Sequence, residues 1–565
     1  MAQFRRWTTI ALLILAPPFS ASARQHAGMA MTSWEMQAAS AEQAPAKLLD
    51  GMGTLHHPIA TKDADAQKFF DQGLTLFYAF NFEEAIRSFM RATQIDPQAP
   101  MPYWGLALAY GPSYNSGTYV SPAHEKAAFD ALQQAKKLAA AGPEVEKDYV
   151  DAMSLLFSSD ANADPAKLMQ DYIPAARELS ARYPDDPDAA TMYAAALMDL
   201  HPRAMWSSDG QPSADTAEVL RVLEDVLRKW PDHVGANHLY IHAIEASPFA
   251  ERALPSAYRL ETLVPGAGHL VHMPGHIFVR TGDYAAAVKS NEAAIAVDQN
   301  YLRDTGTTNL GYKLGYVEHD LMFLVYSADM DGEYDAAMNT AKDLEAQARA
   351  LLPQMPYVEG YLAPALFVEI RFARWDAILA LPAPDEKLKG MTFFWRYARG
   401  CAFAVTGRSQ QAESELAAME QSYKDLQPEG AAFSMMPNTW RTFHEIALRS
   451  LNARIAAAQG DFAKSIEEWT AAVSAEDHMN YHEPADWFYP MRESLGAALL
   501  RAGQLGQAEK VFRDDLNRNP RNPHSLFGLW KTLDAEQKTA DADWVRREYE
   551  AAWKGGSIQL RIEDF

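Results

Sequence analysis

Residues 66–97 read AQKFFDQGLTLFYAFNFEEAIRSFMRATQIDP, and the spacing within them decides the fold. Apolar residues recur every three or four positions, the period of amphipathic helices rather than the alternation of strands. Gly73 belongs to a first helix, and Ala85, Phe89 and Ala92 mark a second. Small residues let the two helices approach, and Pro97 closes the unit because proline cannot continue a helix. Counted from an origin at residue 65, Phe69, Gly73, Ala85, Phe89, Ala92 and Pro97 occupy positions 4, 8, 20, 24, 27 and 32.

The same offsets return downstream. Gly496, Ala508, Phe512 and Pro520 take positions 8, 20, 24 and 32 from an origin at 488, and Gly400 and Ala412 take 8 and 20 from 392. Gly275, Ala287 and Ala294 fit positions 8, 20 and 27 from 267, while Ala253 and Pro265 fit 20 and 32 from 233. Those last two origins lie 34 residues apart. Strand alternation and Asn-Gly hairpin signals are scarce throughout.

This register resembles the tetratricopeptide (TPR) repeat. The resemblance covers most of the chain and implies an all-α, right-handed solenoid of helical hairpins, with irregular repeats and insertions, curled enough to enclose a central pocket. Two further stretches resemble a group of exported bacterial TPR proteins of unassigned function. One is Tyr103-Trp104-Gly105 followed by Gly111-Pro112-Ser113-Tyr114-Asn115. The other is residues 483–490 running into Arg492-Glu493-Ser494-Leu495-Gly496. A resemblance of this kind implies a fold and no reaction.

Bulk properties bound the rest. A chain of 565 residues is too long for one compact core, so an extended array or several domains is expected. Hydrophobic residues at 48% and charged residues at 22% fit an ordinary folded protein. The net charge of −23 argues against a nucleic-acid partner, which needs a basic footprint. Arg5 and Arg6, the apolar run Thr8–Leu15 and the small-residue site Ala21-Ser22-Ala23 read as a signal peptide over residues 1–23. Its removal would deepen the negative charge by two and place the protein in a periplasm or outside the cell. The apolar run is short for a bilayer and nothing comparable follows it, so no transmembrane domain is expected. Cys401 stands alone, so no internal disulfide can form, and it reads as a small buried residue. A flexible lead-in is expected over 24–60, N-terminal helical repeats over 61–200, central repeats over 201–345 and C-terminal TPR-like repeats over 346–565.

The chemistry concentrates in the central repeats. His238, His242, His269, His272 and His276 fall within 39 residues of a chain holding 16 histidines in all. His238 and His242 are four apart with Glu245 three further on, so the three share a helix face; His269, His272 and His276 share another. From origin 233, His238, His242 and Glu245 take positions 5, 9 and 12; from origin 267, His269, His272 and His276 take 2, 5 and 9. The stretch Gly332-Glu333-Tyr334-Asp335-Ala336-Ala337 sets a further origin at 317 and puts His319 at position 2, after about 16 inserted residues. In TPR proteins, positions 2, 5, 9 and 12 line the concave groove, so the resemblance aims these side chains at one stretch of it.

Neighbouring helices pack about 8–10 Å apart, so imidazoles from both can meet at one ion. Neutral imidazole suits a transition metal such as zinc, copper, iron or nickel, and six histidines are enough for two ions. Glu245 is then a further ligand or a general base. No His-Glu-x-x-His motif is present, and neither is a phosphate loop, a dinucleotide fingerprint, a serine-hydrolase elbow or a calcium loop. Two functions follow as expectations. The groove holds a transition metal in a ligand-binding site or in the site of a metal-dependent enzyme acting on a small molecule or peptide, or it is a non-enzymatic scaffold for peptide or protein segments whose histidines only tune affinity. Peptide-binding TPR grooves usually offer Lys, Arg or Asn at these positions, and this segment has almost none, which favours the metal. His201 is expected in a loop, His482 and Glu483 at the start of a helix pair, and the 111–115 loop and 306–316 insertion at the groove's edges.

Overall fold

The computed structural model of the protein describes residues 45–565 apart from 161, 308 and 427–437. The expected leader, 1–23, and the first part of the lead-in lie outside the described residues. Among the described residues there is no strand, only the isolated bridges Ser113–Gly117 and Trp206–Pro212. No described helix is long and apolar enough to cross a membrane.

Successive helices pack as antiparallel hairpins, giving the TPR-like solenoid that the register implied. Helix α1 (Ala64–Tyr78) pairs with α2 (Phe82–Ile95), α3 (Met101–Tyr110) with α4 (Pro122–Ala139), α5 (Glu144–Met153) with α6 (Pro165–Arg182), and α7 (Pro187–Met198) with α8 (Thr216–Lys229). The central hairpins are α9 (Val234–Ile244) with α10 (Leu254–Leu263), α11 (Gly268–Thr281) with α12 (Tyr284–Thr305), and α13 (Glu318–Asp331) with α14 (Tyr334–Leu351). The short α15 (Pro364–Arg371) and α16 (Trp375–Ala380) follow. Then come α17 (Lys389–Val405) with α18 (Ser409–Asp425), α19 (Trp440–Ala458) with α20 (Phe462–Asp477), α21 (Met491–Arg501) with α22 (Leu505–Arg518), and α23 (Pro523–Ala535) with α24 (Thr539–Ala552).

The small residues do what their spacing implied. A Cβ on Gly73 would lie 2.7 Å from the Phe89 ring, and one on Gly105, a repeat later, 2.5 Å from the same ring. Phe512 is held in the same way between Gly496 and Gly528, at 2.6 and 2.2 Å. One aromatic ring thus fills the space between its own first helix and the next, and only glycine leaves room for it. Gly282 and Gly332, at φ of 75° and 85°, end α11 and α13 in the left-handed conformation that lets the chain reverse into the second helix.

The array closes on itself. A Cβ on Gly235 in α9 would meet the Tyr78 ring of α1 at 2.3 Å, and the Tyr316 hydroxyl donates to the Phe80 carbonyl at 2.7 Å. On another side the Tyr284 hydroxyl donates to the Pro520 carbonyl at 3.2 Å. Residues 45–60 lie against this body, with His57 and Ile59 buried and the Leu49 amide donating to Gln72. The largest hydrophobic cluster among the described residues runs from Ile59 to Leu560.

Candidate metal centre

Three first helices, α9, α11 and α13, bring the histidines together. Helix α9 begins at His233, whose ring accepts from the Ala236 amide, and every residue of the helix is buried. It carries His238 and His242, with Glu245 just past its end. Helix α11 carries His269, His272 and His276, and α13 carries His319. The inserted residues before α13 are taken up by the 22-residue α12 and by a π turn, Lys313–Val317. That turn sets the phase at which His319 arrives, in keeping with the habit of π turns to sit beside sites.

The outer ring nitrogens are committed first. His238 Nδ1 lies 2.5 Å from the Tyr78 carbonyl oxygen, which can only accept, so Nδ1 carries the proton. Asn291 donates through Nδ2 to the Ala287 carbonyl at 2.7 Å, which turns its Oδ1 toward His272 Nδ1, also at 2.7 Å. His272 Nδ1 therefore also carries the proton. His242 Nδ1 and His276 Nδ1 lie 3.0 and 2.6 Å from the two oxygens of Glu245, one oxygen each. Glu483 reaches His276 Nδ1 as well.

What remains faces inward. His238 Nε2 meets His269 Nε2 at 3.1 Å; His272 Nε2 meets His276 Nε2 at 2.7 Å and His319 Nε2 at 3.1 Å. With its proton on Nδ1, His272 offers one lone pair to two neighbours and can accept from only one of them. His242 Nε2 and His269 Nδ1 are buried with no hydrogen-bond partner. Ring nitrogens pointing together, those of His238, His242, His272 and His276 backed by a carbonyl, an amide oxygen or a carboxylate, form the arrangement in which an outer shell orients metal ligands. Ligand atoms of His238, His242 and His269 all lie within 4.8 Å of one another, as do those of His272, His276 and His319, and those of His242, Glu245 and His276.

Electrostatics agree with that reading. Burial, and next the neighbouring imidazoles, hold His238, His242, His269, His272 and His319 well below the usual histidine range, so these five are neutral. Burial opposes charge on His276 too, but Glu245 and Glu483 outweigh it and push its pKa up to about 10. Burial and the facing Glu245 push Glu483 up to about 7. Behind His272, Asp320 approaches Nδ1 at 3.3 Å, and burial and then Asp298 push its carboxyl well up. Five neutral imidazoles and one cation between two carboxylates are what a metal would find on arrival, and it would displace the His276 proton.

Aromatic rings wall the cluster. Phe80, itself at φ 57°, lies over His238, His242 and His269, and Phe323 lies over His272, His276 and His319. Tyr114, from the 111–115 loop, is buried with its ring 5.3 Å from His242, and Tyr316, from the 306–316 insertion, lies 5.0 Å from His269. Both edge segments named from the sequence touch the cluster.

All seven residues singled out from the sequence, including His319, meet here. His201 instead pairs with Asp215 at 2.7 Å, and His482 with Asp486 at 2.8 Å. Sequence reasoning passed over Glu483 as a partner, and it passed over Phe80, Phe323 and Asn291. Asn291 left a signal: it stands at position 24 from origin 267, where Phe89 and Phe512 stand in their own units. A polar residue at a core position asks for a partner, and His272 is that partner.

No family model matches the chain, and no curated protein does. Solved structures that align along most of it share 12–14% identity. The Cut9-Hcn1 assembly of the APC/C covers 94% of this chain and 79% of its own at a TM-score of 0.29. A human IFIT1 dimer with m7Gppp-AAAA covers 88% and 92% at 0.27, and Naa15/Naa10 bound to HypK-THB covers 87% and 90% at 0.22.

Proposed function

We propose that this chain is an exported transition-metal protein whose centre is the histidine cluster enclosed by α9, α11 and α13. The observation that carries the reading is the commitment of His238 Nδ1 to the Tyr78 carbonyl and of His272 Nδ1 to Asn291, which leaves two bare Nε2 lone pairs facing other imidazoles in a buried space. Zinc, copper and iron all accept such a donor set. Glu245 and Glu483 supply negative charge and orient His242 and His276, and through Glu245 a proton acceptor stands beside the ion. Burial favours an ion over a peptide at these positions, because an extended segment needs exposed groove side chains and His238 and His272 are fully buried. The periplasmic or extracellular location rests on the leader read over residues 1–23 and on the resemblance to exported bacterial TPR proteins.

Metal analysis of the full chain, purified without a histidine tag, tests this. At least one transition-metal ion per chain is expected, and its loss in the His238→Ala/His272→Ala double variant. A metal-free protein that stays metal-free after incubation with zinc, copper(II) or iron(II) would overturn the reading.

A further inference from the structure

The six histidines are one three-residue motif used twice. His238 and His242 hold positions 5 and 9 of the unit from origin 233, and His269 holds position 2 of the next unit. His272 and His276 hold positions 5 and 9 of the unit from origin 267, and His319 holds position 2 of the unit after that. The second set is therefore the first moved along the solenoid by one repeat.

We propose that each set binds its own divalent transition-metal ion, so that the centre holds two ions side by side. This deepens the transition-metal reading and rests on it.

The geometry repeats with the register. The position-5 and position-2 rings meet through Nε2 at 3.1 Å in both sets, His238 with His269 and His272 with His319. Each position-5 ring gives its Nδ1 proton to a neutral oxygen, from Tyr78 in one set and Asn291 in the other. Each position-9 ring has its Nδ1 beside a carboxylate, and the carboxylate is shared: one Glu245 oxygen is hydrogen-bonded to His242 and the other lies 2.6 Å from His276 as an ion pair. Each set also has its own phenyl wall. Phe80 lies 4.4–5.8 Å from the three rings of the first, and Phe323 lies 4.7–5.5 Å from those of the second.

A single ion would not use this arrangement. Three imidazoles already make a complete protein ligand set for one tetrahedral ion with an open position, so six would leave three idle in a buried space. Two dications also match the carboxylates better. Glu245 spans both sets and Glu483 adds to it at His276, which places negative charge between and beside the two ions rather than on one.

Cobalt(II), titrated into the chelator-stripped full chain and followed by its visible bands and by metal analysis, tests the proposal. Two equivalents are expected. The His238→Asn/His269→Asn and His272→Asn/His319→Asn variants, checked for unchanged helicity by circular dichroism, are each expected to keep one. Saturation of the wild-type chain at one equivalent overturns the two-ion proposal and leaves the transition-metal reading standing. Absence of cobalt binding in the wild-type chain overturns the two-ion proposal, absence of zinc, copper(II) and iron(II) binding as well removes the transition-metal reading, and the wild-type stoichiometry decides even where a variant fails to fold.

Discussion

Asp188 accepts from three groups at once: His57 Nδ1 at 2.8 Å, His233 at 3.0 Å and the Tyr78 hydroxyl at 2.6 Å. Burial works against its ionisation, but hydrogen bonds from His233 and His57 outweigh burial and hold the carboxyl well below its usual range. His57 mirrors this, since burial lowers its pKa and the Asp188 bond raises it further, to a net increase. The network reaches the histidine cluster through Tyr78, whose carbonyl pins His238. The signs are separate for the two groups. The Asp188 contribution is present above its unfolded pKa of about 3.9 and is lost only as pH falls below it; the His57 contribution is present below about 6.5 and is lost as pH rises through the raised folded value. Asp188→Asn is expected to cost about 3–5 kcal/mol near neutrality and below, by breaking a buried pair. Denaturant melts at about pH 5.5 and about pH 8.5 check the sign, with the larger loss expected at the lower pH. Equal losses would mean that His57 carries no charge in the fold.

At the scale of helices, the same substitution has opposite consequences according to what it meets. Gly528 in α23 faces the buried Phe512 ring, which a Cβ would approach to 2.2 Å. Gly506 in α22 has nothing within 4 Å of such a Cβ. Gly528→Ala is therefore expected to destabilise by about 1–3 kcal/mol through overpacking. Gly506→Ala should be neutral or gain up to about 1 kcal/mol from helix propensity. Chemical denaturation of the two variants beside the parent checks the pair, and a neutral Gly528→Ala would show that the hairpin spacing tolerates a shift of the ring. Gly73 and Gly496 were legible because they answer to a local rule: position 8 meets the ring at position 24 within one hairpin, whereas Gly528 meets Phe512 from the following hairpin. Gly275 at position 8 and the stretch Gly332-Glu333-Tyr334-Asp335-Ala336-Ala337 located the units whose first helices, α11 and α13, carry His272 and His319.

Across the whole molecule, the centre joins parts of the chain that lie far apart in sequence. An ion bound there stabilises the folded state alone, by about 2.7 kcal/mol when free metal stands at a hundredfold its dissociation constant. A chelator is thus expected to lower the melting temperature of the metal-loaded protein more than about 0.5 M sodium chloride does, because salt screens exposed pairs and leaves buried ones nearly untouched. Thermal melts under both conditions check this; equal insensitivity would count against a bound metal. By itself the sequence determined the hairpins, their register and the faces shared by His238, His242, His269, His272 and His276, because helical period and hairpin packing are local properties. Only the tertiary structure decided which atoms meet. Tyr78 finds His238 across 160 residues, Tyr316 finds Phe80 across 236, and Glu483 arrives at His276 from the C-terminal repeats. Those meetings depend on how far the solenoid turns. Its turn accumulates over units of unequal length and over insertions such as Lys313–Val317, so no single 34-residue window contains it.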